Sequence, residues 1–510
     1  MVLIAITLDE WVINMTLGKP KYRNLQQGNG GGTPVLKAIW DKFDFSLLLT
    51  QSGIVKRNGV PTWLIAFAYV VGLIANKNSV SRISDYATKD SLLQPMFRNL
   101  KMAQYTFSRF FTTDYNWGLF SFKRVQRLQQ EEETAFTERD VIVLDDTKVA
   151  HAHGKKIPFL CWLYDSSIKI NIWCMNIVAT TVVLKNGLKY PLFWRIWRKV
   201  ENSDEKQTKI DLSKEMLMDI RRIYTGVLWV AMDPVFMQRL FNWLTDHQYD
   251  WVTKAKRNTA LYRKEIENIT GRERFIPVKP SMLIKEVFFK LLISSAKDKV
   301  SAISIPNIYI KLPYRLVGKQ GKVVTKYRYT PIAKAVVATR LKEDTEMMKD
   351  EFEKNKEVAA TYRGAYLLIS NRVDNPEEAL DAYIKRWSIE VFFRTAKQEL
   401  GLNSCHSTSE SHHYAHIELI FTAETLLVYA RWELNNKGAE EGFTHGEMVR
   451  NFFNATYRIV IKAQQCFQTI QVHFDTEVRQ FARLIDKFWP KNLLLGWFTV
   501  QNSQYMESTA

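Results

Sequence analysis

The sequence predicts a mixed α/β fold with helical regions on both sides of it. Two short apolar runs that end in acidic residues, VIVLDD from Val141 and VLWVAMD from Val227, are typical of buried strands. Amphipathic stretches with helical periodicity lie between and around such runs. A chain of 510 residues with 46% hydrophobic content is long enough for more than one core. We therefore expect a mixed sheet with flanking helices.

The N-terminal part is predicted to be helical after a loose leader. Residues 1–33 end in the Gly-rich stretch Gly28–Gly32, which predicts a flexible segment. The apolar run Val60–Ala75 is shorter than the roughly 20 residues that cross a bilayer, so we expect a buried helix and no membrane span. Short helices with interspersed basic residues are typical of a DNA-binding domain, although a helical bundle that binds nothing can have the same pattern. The basic residues are Lys101, Arg109, Lys123, Arg124 and Arg127.

The middle of the chain has the pattern of strands followed by alternating helices and strands. VIVLDD, IKINIWCMNIV and TTVVLKN predict three strands that could form a meander. A helix from Asp211 to Tyr224 then leads into VLWVAMD, and a helix from Val235 to His247 leads into YDWVTKAKR. Residues 263–370 contain further strand-like pieces and are expected to form a β-rich insertion.

The charge distribution favours a polyanionic partner. The net charge is +18, and the segment from Lys254 to Lys342 contains 21 Lys and Arg against 5 Asp and Glu. A solvated basic surface explains this concentration less well than contact with nucleic acid does. Such charge contributes affinity and salt dependence, not sequence choice.

Cysteine and glycine patterns exclude other classes of protein. The four cysteines are scattered without a CxxC pair, which favours reduced thiols in a cytoplasmic protein: Cys161, Cys174, Cys405 and Cys466. No basic segment precedes an apolar core at the N-terminus, so no signal peptide is expected. The GNGGG stretch lacks the GK[ST] ending of a phosphate loop, and no nucleotide cofactor is indicated.

Three acidic residues follow predicted strands, where ligand chemistry is common in α/β folds. Asp145 and Asp146 end VIVLDD, and Asp233 ends VLWVAMD. Any one of them alone could simply begin a turn. Because the residues before the acids are apolar in both strands, a functional role for these acids is about as well supported as a role in turns.

A later helix supplies the deciding pattern. Tyr383, Arg386, Glu390 and Lys397 are separated by three, four and seven residues, which places them in one stripe of a helix. An ordinary amphipathic helix would have leucines there. An Arg386–Glu390 ion pair one turn apart would not by itself require the tyrosine or the lysine.

This stripe resembles the YREK signature of the insertion-sequence-four superfamily of bacterial DDE transposases. LDDT from Leu144 resembles the first aspartate motif of that superfamily, and VAMDPVF resembles the second. CWLYDSS and the KxKxN residues Lys254, Lys256 and Asn258 are also similar to stretches that follow these motifs. The resemblance covers roughly residues 140–420.

The resemblance implies an RNase H-like core with a β-rich insertion before the helix that carries the glutamate. Asp146, Asp233 and Glu390 would be the catalytic residues and the ligands of two Mg²⁺ or Mn²⁺ ions. Asp146 is preferred because the family's acid directly precedes Thr; the pattern alone leaves Asp145 open. The implied DNA-binding residues comprise three of the stripe and three of the basic segment: Tyr383, Arg386, Lys397, Lys254, Lys256 and Arg257.

The implied activity is cut-and-paste DNA transposition by a homodimer associated with the bacterial nucleoid. The partners would be double-stranded DNA with terminal inverted repeats and the target DNA. Cleavage would pass through a hairpin and 3′-OH ends would be joined. The stretch between Trp251 and Trp387 contains no Trp on which a flipped base could stack. A tyrosine could provide the stacking face instead: Tyr309, Tyr314, Tyr327 or Tyr329. The alternatives are another RNase H-like nuclease or resolvase, or a non-catalytic DNA-binding relative, which would not need three acids.

Together these patterns predict six regions. They are a flexible leader (1–33), a helical DNA-binding domain (34–135), the first part of the catalytic core (136–262), a basic β-rich insertion (263–370), the second part of the core (371–436) and a helical C-terminal region for dimerisation (437–510).

Overall fold

A computed structural model describes residues 21–29, 32–89, 93, 102–199, 207–233, 240–256, 258–267, 271–284, 286–287, 300–317, 323–332, 335–340, 365–372, 375–435, 444–449, 456–464 and 467–474. Its helices are α1 (Thr33–Lys42), α2 (Phe45–Gln51), α3 (Thr62–Ile74), α4 (Val80–Lys89), α5 (Gln104–Thr112), α6 (Trp117–Leu128), α7 (Lys209–Ile223), α8 (Phe241–Asp246), α9 (Pro376–Lys385), α10 (Trp387–Gln398), α11 (Glu410–Asn435) and the single turn α12 (His445–Glu447). Its strands are β1 (Lys21–Asn29), β2 (Val141–Ala150), β3 (Cys161–Asp165), β4 (Ile170–Val183), β5 (Lys189–Trp197), β6 (Leu228–Met232), β7 (Tyr249–Lys254), β8 (Leu261–Ile266), β9 (Glu273–Val278), β10 (Val300–Ile305), β11 (Ile308–Val317), β12 (Val323–Ile332), β13 (Ala335–Arg340), β14 (Ala365–Ser370), β15 (Thr456–Gln464) and β16 (Phe467–Phe474).

A mixed sheet forms the centre of the fold, as the sequence predicts. In the described residues its strand order is β10-β13-β14-β7-β6-β2-β4-β3, and β5 pairs with a second segment of β4. β2 runs parallel to β6 and antiparallel to β4, and β6 runs parallel to β7. Every residue of β6 is buried, which is why its sequence LWVAM has no polar position. The mixed α/β fold class is confirmed.

The first predicted strand is longer than its apolar run. Pairing of β2 with β6 ends at Leu144, but pairing with β4 continues from Asp145 to Ala150. The two carboxylates therefore lie within a strand and not after it. IKINIWCMNIV and TTVVLKN likewise belong to one strand, β4, and not to two, because its ladder with β2 is unbroken across Ala179.

The stretch predicted to be β-rich contains strands of two sheets. Strands β8, β9, β11 and β12 form a four-stranded sheet in the order β12-β11-β8-β9. β10 and β13 instead extend the central sheet through β14, which pairs antiparallel with β7. β10 and β11 are separated by only two residues, so the chain passes directly from one sheet to the other.

The N-terminal helices pack on α11, which runs through the middle of the molecule. Almost all of α3 is buried, as the run Val60–Ala75 predicts, and none of the described helices is long and apolar enough to span a membrane. Arg124 on α6 is fully buried and donates to Glu418 of α11 over 2.8 Å. Its remaining guanidinium nitrogens donate to the carbonyls of Pro191 and Leu192. Arg124 therefore joins this region to the sheet and does not face DNA; Lys101 lies outside the described residues.

Both ends of the chain contain strands where the sequence predicts none. β1 pairs with β15, and β15 pairs with β16, as a three-stranded antiparallel sheet. The expected flexible leader (1–33) is wrong for Lys21–Asn29, because β15 supplies hydrogen-bond partners over most of its length. The expected helical region (437–510) is wrong for residues 456–464 and 467–474, whose Ile- and Val-rich alternation favours strands.

Candidate active site

Two parallel strands bring the first two predicted acidic motifs side by side. Leu144 of β2 is paired with Met232, the last residue of β6, so Asp145 of β2 and Asp233, directly after β6, are the next residues along the two chains. Residues in register on adjacent parallel strands point to the same face of a sheet. The negative charge of Asp233 is close enough to raise the pKa of Asp145. Asp145 and Asp233 therefore belong to one cluster.

Asp146 lies on the opposite face of the sheet. Successive side chains along a strand alternate between faces, and the contacts of Asp146 agree with this. Its Oδ2 accepts from Asn176 Nδ2 over 2.7 Å and from Lys209 Nζ over 2.8 Å. Asn176 is on β4 and Lys209 is the first residue of α7. Asp146 is thus paired with a lysine and hydrogen-bonded to an amide on the face away from Asp233.

The predicted helix brings its glutamate to the Asp145 face. The stretch is two helices, α9 and α10, that meet at Arg386, whose backbone stays helical, so the spacing of the stripe is preserved. One guanidinium nitrogen of Arg386 lies 2.6 Å from Glu390 Oε1, and the other lies 3.6 Å from Asp145 Oδ2. Arg386 therefore bridges the first strand motif and the glutamate of α10.

Burial is the largest influence on the pKa of Asp145. It raises the pKa of Asp145 to about 7, and the charges of Asp146 and Asp233 add to the increase. Two contacts oppose it: the backbone N–H of Asp146, which donates to Asp145 Oδ1 over 2.8 Å, and the charge of Arg386. A neighbouring cation therefore favours the ionised form of Asp145.

A row of aromatic and basic side chains extends the site along α9 and β14. Arg386 lies over the ring of Tyr383, which packs against Tyr366 with ring centroids 5.9 Å apart. Lys254 lies over the other ring of this pair, 4.9 Å from the centroid of Tyr366. Lys254 and Lys256 are exposed. Arg257 lies outside the described residues. The structure therefore connects Lys254, Tyr383 and Arg386.

Lys397, the last residue of the stripe, has a different environment. Burial lowers the pKa of Lys397, and Lys148 lowers it further, whereas Asp165 and Cys174 oppose the decrease. Asp165 lies 4.0 Å from Lys148 and belongs to the β3–β4 hairpin. Lys397 thus lies beside that hairpin, two turns further along α10 than Glu390.

The chain was compared with known protein families and with curated proteins. A family model described as the transposase DDE domain matches residues 137–426, more than half of the chain. The chain belongs to this family. No curated protein matches it. The matched range begins just before β2 and ends within α11, so it contains Asp145, Asp146, Asp233 and Glu390 of the transposase.

Family membership supports a DNA substrate and divalent metal ions, which DDE transposase domains normally use. The carboxylate oxygens of Asp145, Asp233 and Glu390 are hard donors of the kind that Mg²⁺ and Mn²⁺ prefer. Within the ranges described, however, no three His, Cys, Asp or Glu side chains are grouped closely enough to hold an ion. The three carboxylates are therefore ligands of a suitable type, but Arg386 contacts two of them, Asp145 and Glu390, in this arrangement.

Several residues in and around the candidate site had no signal in the sequence. Asn176 and Lys209 contact Asp146 from 30 and 63 residues away along the chain. Trp387 has 57% of its surface exposed directly beside Arg386. Of the tyrosines considered as stacking faces, Tyr309 and Tyr329 pack against Phe275, whereas Tyr327 is 59% exposed; the side chain of Tyr314 lies outside the described residues.

Proposed function

We propose that this chain is a cut-and-paste DNA transposase whose catalytic carboxylates are Asp145, Asp233 and Glu390. The register of Leu144 with Met232 carries the proposal, because it puts Asp145 and Asp233 on one face of adjacent strands. Arg386 links the same face to Glu390. The proposed carboxylates thus come from a strand, from the residue directly after a strand and from a helix, in distant parts of the chain.

Resemblance favours Asp146 as the first acid, whereas the contacts favour Asp145. Asp146 already has two polar partners, Asn176 and Lys209, on the other face of the sheet. Asp145 faces Arg386 and Asp233. We assign Asp145 to the active site and a positioning role to Asp146, whose ion pair holds α7 against β2.

Asp145, Asp233 and Glu390 would hold two Mg²⁺ or Mn²⁺ ions, which would activate the attacking oxygen and stabilise the leaving oxygen. Arg386 would grip a DNA phosphate: its Nε is buried without a hydrogen-bond partner and can donate to a phosphate oxygen. Tyr383 supports the guanidinium through its ring. Lys254 and Lys256 extend the cationic surface, and Arg257 and Lys397 would bind further phosphates.

The proposed substrate is the terminal inverted repeat of an insertion sequence of the insertion-sequence-four superfamily. A homodimer would bind two ends, nick them, form a hairpin and join the 3′-OH ends to target DNA. Residues 34–135 would contribute to end recognition, and the basic stretch from Lys254 to Lys342 would bind the DNA backbone.

The test is a cleavage assay with the purified full chain, duplex DNA that carries the inverted repeat, and Mg²⁺. Asp145→Asn, Asp233→Asn and Glu390→Gln should each reduce strand cleavage by at least about 1,000-fold, because each removes a charged ligand without changing volume. End binding in a gel-shift assay should change less than tenfold. A denaturing gel of the released ends also detects hairpins.

The matched control is Asp381→Ala, which removes an exposed carboxylate of α9 whose partner is Lys385. It should cleave as the wild type does. Asp146→Asn should retain at least a tenth of the activity. If Asp146→Asn abolishes cleavage and Asp145→Asn does not, the first acid is Asp146. If all three acid variants cleave normally, the proposed function is wrong.

A further inference from the structure

The β3–β4 hairpin exposes two large aromatic side chains on one face. Trp162 is 61% exposed and Tyr164 is 58% exposed, although both belong to a strand of the central sheet. Trp162 is paired in register with Trp173 of β4, and their ring centroids lie 5.5 Å apart. Exposed rings in a row are unusual for a surface that only meets water. This face carries features of a binding surface.

A basic loop contacts Trp173, the partner of Trp162 in this hairpin. Residues 151–157 follow β2, and the indole N–H of Trp173 donates to the carbonyl of Gly154 over 3.4 Å. The next two residues, Lys155 and Lys156, are exposed, and neither forms an ion pair with any described residue. They line an open cleft of about 500 Å³ that they share with His151, His406 and Thr408.

The cleft has a polar atom without a partner and no acidic lining. His151 is 4% exposed, and its Nδ1 has no hydrogen-bond partner among the described residues. Asp165 points to the other face of the hairpin and lies near Lys148. Glu410 is bound to Arg198. The aromatic row is therefore bordered by positive charge and by an available polar group.

We propose that this face binds single-stranded DNA, with unpaired bases stacked on Trp162 and Tyr164 and phosphates bound by Lys155 and Lys156. An open ring can stack only on a base whose face is free, which excludes the interior of a duplex. A second copy of the chain fits less well, because a two-fold contact would place the two lysine pairs opposite each other. The inference rests on the proposed function, which generates cut strands.

The position of the hairpin connects this surface to the site. Asp165, on the opposite face of the hairpin, is close enough to Lys397 of α10 for their charges to interact. The pairings of β2 with β4 and of β4 with β3 put Trp162 and Tyr164 on the same face of the sheet as Asp145. A strand freed at the site could therefore reach these rings without crossing the sheet.

The experiment measures binding of a fluorescent 15-nucleotide oligo(dT) and of a 15-base-pair duplex to the full chain by anisotropy. The background is Asp233→Asn, so that no DNA is cut. Adding Trp162→Ala and Tyr164→Ala should weaken oligo(dT) binding at least about tenfold, since each stacked base contributes on that scale. Duplex binding should change less than twofold. Trp162→Phe with Tyr164→Phe should keep most of the oligo(dT) affinity, because the rings remain.

The contribution of Lys155 and Lys156 is measured separately, by the salt dependence of oligo(dT) binding. Lys155→Ala with Lys156→Ala should reduce the slope of log affinity for oligo(dT) against log salt by about 1.4, as expected for two lost phosphate contacts on a single strand. Met218→Ala is the control, since Met218 is 36% exposed on α7 and lies outside the proposed DNA-binding regions. It should leave both affinities unchanged.

Unchanged oligo(dT) affinity in the Trp162 and Tyr164 double alanine variant would overturn the inference, even if the enzyme cleaves its ends. An equal loss of oligo(dT) and duplex binding would also overturn it, as would a change in oligomeric state by light scattering with oligo(dT) affinity retained. Circular dichroism checks that the variants are folded. If the aromatic face binds oligo(dT) but the wild type never cleaves DNA, the proposed function fails and the binding surface stands.

Discussion

Arg386 and Glu390 form an ion pair of 2.6 Å at the start of α10. The same guanidinium lies 3.6 Å from Asp145, so one cation holds two of the three proposed catalytic carboxylates. Burial disfavours the charged form of Arg386, but Tyr383, Glu390 and Asp145 outweigh it and raise the pKa of Arg386. The charge of Arg386 is therefore permanent, and any metal ion at this site must share these carboxylates with it.

Arg386→Ala should lower the free energy of unfolding by about 1–3 kcal/mol, because it leaves two partly buried carboxylates without their counter-charge. It should also weaken end binding. Urea denaturation and gel shift measure the two effects. Arg386→Lys restores the charge but not the planar fork that reaches both carboxylates, so we expect stability closer to wild type and cleavage that stays low. Full cleavage by Arg386→Lys would contradict the bridging role.

The Asp146–Lys209 pair should contribute to stability and not directly to strand cleavage. A double-mutant cycle of Asp146→Asn and Lys209→Met should give a coupling of about 1 kcal/mol in urea denaturation, since the contact is 2.8 Å and both side chains are partly exposed. Lys209→Met alone should keep cleavage within about tenfold of wild type. A greater loss of cleavage with unchanged stability would mean that Lys209 acts at the site itself.

Arg124→Met should be among the most destabilising substitutions in the chain. It leaves Glu418 buried without its partner, and breaking a fully buried ion pair costs about 3–5 kcal/mol. The indole of Trp194 also donates to Glu418 over 2.7 Å, but a neutral donor does not replace the lost charge. Thermal or urea unfolding measures the change. Asp85→Ala, which removes the exposed partner of Lys89, is the control and should cost less than about 1 kcal/mol.

Stability should fall at acidic pH through His416. Burial lowers the pKa of His416 to about 3, and its two ring nitrogens contact the Tyr69 hydroxyl and the Gly401 carbonyl. In the unfolded chain the His416 ring takes up a proton near the ordinary histidine pKa of about 6.5, whereas in the folded chain the ring stays neutral at that pH. The contribution of His416 is therefore complete above pH 6.5 and is lost as the pH falls from there to about 3.

The measurement compares unfolding free energies of wild type and His416→Gln between pH 7 and 4. The wild type should lose about 1.4 kcal/mol per pH unit more than the variant below pH 6. Taking the difference removes the opposing effect of Glu424, whose pKa burial raises to about 8. Parallel pH profiles for the two proteins would show that His416 is not the group responsible.

The helical spacing of Tyr383, Arg386 and Glu390 could be predicted from sequence because a helix repeats every few residues. Arg386 contacts both Tyr383 and Glu390, even though α9 and α10 meet at Arg386. The apolar runs of β2 and β6 were also recognisable, because strands buried on both faces have no polar positions. Fold class and the candidate acids followed from such local patterns.

The proposal of Asp145 in place of Asp146 depends on tertiary structure. Adjacent residues of a strand point to opposite faces, and only the pairing of Leu144 with Met232 tells which of them faces Asp233. The partners of Arg124 and Asp146 likewise lie 294 and 63 residues away. Local periodicity reports which residues share a face of one element. Which face meets which other element is determined by pairing between distant segments, and no single segment of the sequence contains that information.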